Sequence, residues 1–229
     1  MKILASADLH GYYDAYRWIV DIAEKTGVAA VVLAGDLLGC PDDNLPIEEA
    51  QTADGKQVLS ILERLTVPLF YIMGNDDMID LPAAKDWIQC LQGKRVDLGG
   101  YNFVGYQYTL PFMGGIFEKP EEEIAHDLLQ MEQLLDEQTV FVTHGTAKGI
   151  LDMGTLGLHA GSESLWRLME RRPIRAHIHG HIHEAFGCSD NHFNVASAGE
   201  KRCMIIDLSN MKHEIIQENE LEKPKHKEM

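Results

Sequence analysis

The chain has 229 residues, 45% of them hydrophobic, and a formal net charge of −16. That length and apolar content can bury a sizeable core without disulfide staples. The charge sets the protein against nucleic-acid backbone and anionic membrane, so bulk nucleic-acid binding through a basic face is disfavoured. Cys40, Cys90, Cys188 and Cys203 are scattered with no CxxC spacing and read as thiols of a reducing compartment. Asp8 interrupts the N-terminal apolar run too soon for a signal peptide, and no run has the length of a membrane span. A soluble cytoplasmic protein is expected, with one domain over residues 1–217 and a charged, frayed tail over 218–229.

Residues 2–7 form a short apolar run ending at Asp8-Leu9-His10-Gly11, the pattern of a first strand. Residues 14–27 carry Trp18, Ile19, Ile22 and Ala23 at helical spacing, with Gly27 as the stop. Residues 28–34 are almost purely apolar, as a strand buried on both faces should be, and end at Gly35-Asp36. A loop with Pro41, Pro46 and several acids leads to a helix over 53–65. Another apolar strand, 67–73, ends at Gly74-Asn75-Asp76-Asp77. A short helix is expected over 83–91 and a strand over 101–108. Pro120 opens a helix to Leu135, with Glu121, Glu122 and Glu123 in its first turn, where acids suit the helix dipole. The strand over 139–143 ends at His144-Gly145, and a Gly-rich loop runs to Gly161. Ser162 is a good N-cap for a helix over 163–171, stopped by Pro173. Residues 175–179 alternate as a strand into Gly180-His181-Ile182-His183, and 193–198 with 201–208 look like a closing pair of strands. Trp18, Trp87 and Trp166 read as core residues, and Met73, Met113 and Met153 as gap fillers. Strands alternating with helices before a β-rich end argue an α/β fold or a mixed layered sandwich.

The polar residues just past the strands form a set: Asp8 and His10, Asp36, Asn75, His144, His181 and His183. Sites in α/β sheets form beyond the carboxyl ends of strands. A carboxylate after one strand is ordinary turn chemistry, but five strand ends each carry a metal-type donor here. Carboxylate, amide and imidazole donors without thiolate suit manganese, iron, zinc or nickel. Seven side chains exceed what one open catalytic ion needs and suit two divalent ions sharing a carboxylate. Such a pair can grip a phosphate and activate a hydroxide between the ions for attack on phosphorus. Asp8 and Asp36 do not neutralise two such cations, which favours an anionic substrate, a small phosphoester.

In this order the motifs Asp8-Leu9-His10, Gly35-Asp36, Gly74-Asn75-Asp76-Asp77, Thr143-His144 and Gly180-His181-Ile182-His183 resemble the calcineurin-like metallophosphoesterases. The resemblance implies a four-layer α/β/β/α sandwich of two mixed sheets with a binuclear metal centre. Asp8, His10, Asp36 and His183 would hold one ion. Asp36 would bridge to a second, completed by Asn75, His144 and His181. Leu110-Pro111-Phe112, His159-Ala160-Gly161-Ser162 and Gly180-His181-Ile182-His183-Glu184 look like a largely uncharacterised bacterial and archaeal branch. The implied activity is hydrolysis of phosphodiesters or phosphomonoesters. A non-catalytic binding scaffold on the same fold is the alternative, weakened by the complete donor set.

One position departs from the family. Where it usually has a His, thought to protonate the leaving oxygen, this chain has Asp76. Beside two cations a carboxyl is driven towards ionisation, which makes a weak general acid. His159 and His179 are the alternative proton donors, from a loop and a strand end expected to face the metals; for His179 a packed strand histidine is an equal reading. Asp77 is expected to orient a neighbouring group. Ser162 is read as a plain N-cap in preference to a phosphate-holding helix start. A homodimer is compatible with the sequence.

Overall fold

The computed structural model describes residues 1–40, 44–82 and 85–218. Among the described residues, twelve strands form two six-stranded sheets. In the first, β1 (Lys2–Ser6), β2 (Ala30–Ala34), β3 (Leu69–Ile72) and β4 (Ile88–Cys90) run parallel, and β11 (Arg202–Asp207) and β12 (Lys212–Gln217) extend the β1 edge antiparallel. In the second, β6 (Tyr101–Tyr106), β7 (Thr139–Thr143), β8 (Ala176–His179) and β10 (His192–Asn194) are parallel. Antiparallel β5 (Arg95–Leu98) and β9 (Gly187–Ser189) close its two edges.

Side-chain alternation along the strands builds the layers. Ala30, Val32 and Ala34 of β2 face Val140, Val142 and Ile178 of the second sheet. Val31 and Leu33 point the other way, into a core with α1 (Tyr13–Thr26) and α2 (Ile47–Leu62). On the far face of the second sheet, Val104, Tyr106 and Phe141 pack against α3 (Glu121–Met131) and α4 (Glu163–Arg171). Period-2 strands buried on both faces thus give a helix, sheet, sheet, helix sandwich. The four-layer α/β/β/α expectation holds.

Several elements depart from the sequence expectation. In the described part of 83–91 no helix forms: Ile88–Cys90 is β4, where the Leu69 N–H donates to Trp87 O at 2.8 Å. Its short apolar run fits either period, and the open edge of β3 decides. Residues 83–84 lie outside the described residues. Helix α2 starts at Ile47, with Glu48 and Glu49 in its first turn, the same signature as α3. The expected closing strands do not pair with each other. The chain leaves β10 in the second sheet and crosses over β1, where the Ser197 N–H donates to Ala7 O at 2.8 Å, before entering β11 in the first. Trp87 and Trp166 are more than a third exposed, Met113 and Met153 more so, while Met73 is buried as expected. Of the expected tail, Glu218 pairs with Lys201 at 2.7 Å, and residues 219–229 lie outside the described residues. All four cysteines are free. Among the described residues no helix is long and apolar enough to cross a membrane.

Candidate metal centre

The C-terminal ends of β1, β2, β3, β7 and β8 deliver their loops to one place. The β1 and β2 exits stay paired after the strands stop: the N–H groups of Asp8, His10 and Gly11 donate to Gly35 O, Asp36 O and Leu37 O, each at 2.9 Å. Asp8, His10, Asp36 and His181 have φ of +57°, +43°, +51° and +67°. Non-glycine residues in this left-handed region cost about 1–2 kcal/mol each, so the surrounding contacts must hold them there. They do: the His181 N–H donates to both Asp8 carboxylate oxygens at 3.1 Å, and the Asp76 N–H donates to Asp36 Oδ1 at 2.9 Å.

The side chains converge as acceptors. His144 lies fully buried, its Nδ1 2.8 Å from Ala34 O. A carbonyl partner there fixes the proton on Nδ1 and leaves the Nε2 lone pair free in the neutral ring. That Nε2 faces Asp36 Oδ2 at 3.2 Å and Asn75 Oδ1 at 3.1 Å. Lone pairs aimed at one another in a buried site need a cation between them, a proton or a metal. In the metal-free protein the proton does this. Burial would lower the His144 pKa, but the Asp36 carboxylate overrides it and raises the value to about 10. His183 Nε2 stands 3.1 Å from Asp8 Oδ1, whose hydrogen bond raises the His183 pKa. His181 is pushed down to about 4 by burial and then by His144, and so is neutral.

Three donor groups have their ligand atoms within 4.8 Å of one another: Asp8, His10 and His183; Asp36, His144 and His181; His10, Asp36 and Asp76. Three glycines make room for them. A Cβ on Gly74 would run into Asp36 Oδ1, and one on Gly180 would run into Asp8 Oδ2. Gly35, at φ +94°, would collide with the His144 ring. Oxygen and nitrogen donors in these adjoining groups fit divalent transition ions.

A calcineurin-like phosphoesterase family model matches residues 1–185. The chain belongs to that family. Solved structures agree on the fold. The protein TT1561 of Thermus thermophilus superposes with a TM-score of 0.69 at 16% identity, covering 94% of this chain and 98% of that one. A dimetal phosphatase from Danio rerio does so with a TM-score of 0.58 at 11% identity, covering 95% and 98%. A stretch of 83 residues, 36% of this chain, is 36% identical to part of a probable rhamnogalacturonate lyase C of Emericella nidulans. The chain spans 7% of that protein's length.

In this calcineurin-like phosphoesterase chain the three proton-transfer candidates occupy different settings. Asp76 reaches the donor cluster, with Oδ2 3.5 Å from His10 Nδ1. Burial and then Asp36 raise its pKa in the metal-free protein. The His159 ring is 52% exposed and its Nδ1 is 2.7 Å from Asp152, outside all three donor groups. His179 is fully buried beneath the second sheet, stacked on His177 with centroids 4.8 Å apart. Burial pushes it down to about 3, and its Nε2 has no hydrogen-bond partner among the described residues. Strand parity explains this: Ile178 points between the sheets, so its neighbours point away.

Two positioning residues escape the sequence reading, whereas Asp77 and Ser162 take the roles expected of them. Gln51 and Asp54 lie three apart on the buried face of α2. Gln51 Nε2 donates to Asp76 O at 2.8 Å, and Asp54 accepts from Tyr13 OH at 2.6 Å and from the Gly39 N–H at 2.8 Å. Two polar residues at helical spacing among apolar ones were the available signal. Asp77 is fully buried and accepts from the N–H groups of Leu37, Leu38 and Gly74. Ser162 caps α4 by accepting from the Leu165 N–H at 3.2 Å, and its hydroxyl donates to Glu121 Oε1 at 2.9 Å.

Proposed function

We propose that this chain is a metal-dependent phosphoesterase whose site holds two divalent ions. Asp8, His10, Asp36 and His183 would bind one ion, and Asp36, Asn75, His144 and His181 the other. The observation that carries this reading is the placement of Asp36. It shares one donor group with His144 and His181 and another with His10, while His10 also belongs with Asp8 and His183. Divalent ions bound there would polarise phosphoryl oxygens and supply hydroxide at neutral pH. The residues of the chain do the rest. Ala34 O holds His144 in the tautomer that presents Nε2, and the Asp76 N–H steadies Asp36. Asp77 ties the Asp36 loop to Gly74, beside Asn75.

Asp76 stands where the family usually has its proton-donating His, and its carboxylate groups with His10 and Asp36. Cations beside it would favour its ionised form, so its help to the leaving group is weak. Substrates with good leaving groups, aryl phosphodiesters among them, should therefore be preferred.

The test is a panel of phosphoesters with Mn²⁺, Ni²⁺ and Zn²⁺, with bound metal and melting temperature measured alongside. The expected result is metal binding, a raised melting temperature and hydrolysis that Asp36→Asn abolishes. A protein that binds none of these ions and whose melting temperature they leave unmoved would overturn the proposal in favour of a binding scaffold.

A further inference from the structure

The donor cluster floors a cavity of about 440 Å³, shaped by His10, Asp36, Asn75 and His181 below. Its mouth is different in kind. Phe112, Met113, Leu156 and Leu158 line it and are 72%, 61%, 85% and 68% exposed. Apolar side chains gathered at this exposure beside a polar site mark a binding surface.

The two loops that carry them are held in place. The Glu118 carboxylate accepts from the N–H groups of Phe112, Met113 and Gly114 at 2.8, 2.8 and 2.9 Å. On the other side, Asp152 is 2% exposed. It accepts from the N–H groups of Gly149 and Gly161 and from His159 Nδ1, at 2.9, 3.2 and 2.7 Å. The Phe112 ring lies edge-on to His181, with centroids 5.7 Å apart. One apolar wall therefore adjoins a proposed ligand directly.

Charge narrows the occupant. Among the described residues lining this cavity, Asp36, Asp76 and Glu184 are acidic and none is Lys or Arg. A phosphomonoester dianion brings a second negative charge that meets no Lys or Arg among these lining residues. A diester brings one charge and an organic group to bury. Phe112 offers an aromatic ring the edge or face of another ring. A net charge of −16 disfavours approach to anionic lipid, so the group is assigned to a water-soluble compound.

Resting on the phosphoesterase reading, we infer that the substrate is a soluble phosphodiester with an aromatic ester group packed between Phe112–Met113 and Leu156–Leu158.

The test compares two diester mimics of equal charge, diphenylphosphinate and dimethylphosphinate, whose P–C bonds a phosphoesterase cannot hydrolyse. Their binding to the Mn²⁺-loaded protein is measured by calorimetry. Burying a phenyl ring should make diphenylphosphinate about 30-fold tighter. In the Leu156→Ser/Leu158→Ser double variant that preference should fall to about 5-fold or less. Both side chains are exposed, so the variant should fold, which its melting temperature checks. A flat preference in the wild type, or one that survives the substitutions, overturns the inference. So does a wild-type dimer that the substitutions dissociate while the preference stays, because the apolar mouth would then be a self-association face. Hydrolysis of diesters with a flat preference sinks only the aromatic assignment. Metal loading with no hydrolysis of aryl diesters and no binding of either phosphinate sinks the phosphoesterase reading and this inference with it.

Discussion

Asp77 touches none of the three donor groups, yet its loss should be felt in all of them. It is fully buried and accepts from the N–H groups of Leu37 at 3.0 Å, Leu38 at 2.8 Å and Gly74 at 2.8 Å. Asp77→Ala strands three buried donors, each worth about 1–3 kcal/mol when left unpaired. Part of that returns, because the carboxyl is itself costly to bury and water can enter the space. We expect a net loss of about 3 kcal/mol, and about half that for Asp77→Asn, which keeps the shape and one acceptor. Leu37 follows Asp36 and Gly74 precedes Asn75, so loosened loops should also weaken metal affinity about 10–100-fold. Urea unfolding with chelator, and metal titration of the folded variant, read the two effects.

The pH dependence gives an independent check. Burial and then Asp36 push Asp77 from 3.8 up to about 8 in the metal-free protein. Between those values the folded state binds more protons than the unfolded one, so this group makes stability fall as pH rises. Asp77→Asn cannot ionise and should flatten that slope. A loss under about 1 kcal/mol with metal affinity unchanged would refute the assignment of Asp77 as the tie between these loops.

Three further outcomes are expected. Asp76→Ala should lower activity on aryl diesters by about tenfold or less, far below the loss from Asp36→Asn, and steady-state rates with metal content measured alongside check this; equal losses would show that Asp76 is essential. Metal entry must displace the proton that Asp36 holds on His144 with a pKa raised to about 10, so metal affinity should rise with pH through neutrality and proton release should appear in calorimetry run in several buffers. The metal-free stability that this pair contributes is complete between about 3.8 and 6.5; it is lost as pH rises through the folded value of His144 and as pH falls through the lowered value of Asp36. Ser162→Ala removes the cap on Leu165 and the bond to Glu121, and should cost about 1–2 kcal/mol in urea unfolding, largely restored by Ser162→Thr.

Much of the architecture was legible because its signals are local. Apolar runs marked β2 and β3, and single residues marked the ends of helices, Gly27 after α1 and Ser162 before α4. The elements missed or misread, β4, β5, β9 and β12, are short or at sheet edges, where partners on the open side of a sheet select the strand. The donor residues were visible for the same local reason: each follows an apolar run within a few positions.

By itself the sequence supplied the donor types, their order along the chain and the family they resemble. Only the tertiary structure decided which donors share a space. Asp36 and His144 are far apart in sequence and stand 3.2 Å apart because parallel strands of two different sheets end at the same edge of the sandwich. It also decided between histidines that look alike in the sequence. His179 is still on β8 and points beneath the sheet, whereas Gly180 breaks the strand and His181, at φ +67°, turns back to Asp8. Alternation fixes that neighbours face opposite ways, but the packing of the layers fixes which face is the cleft.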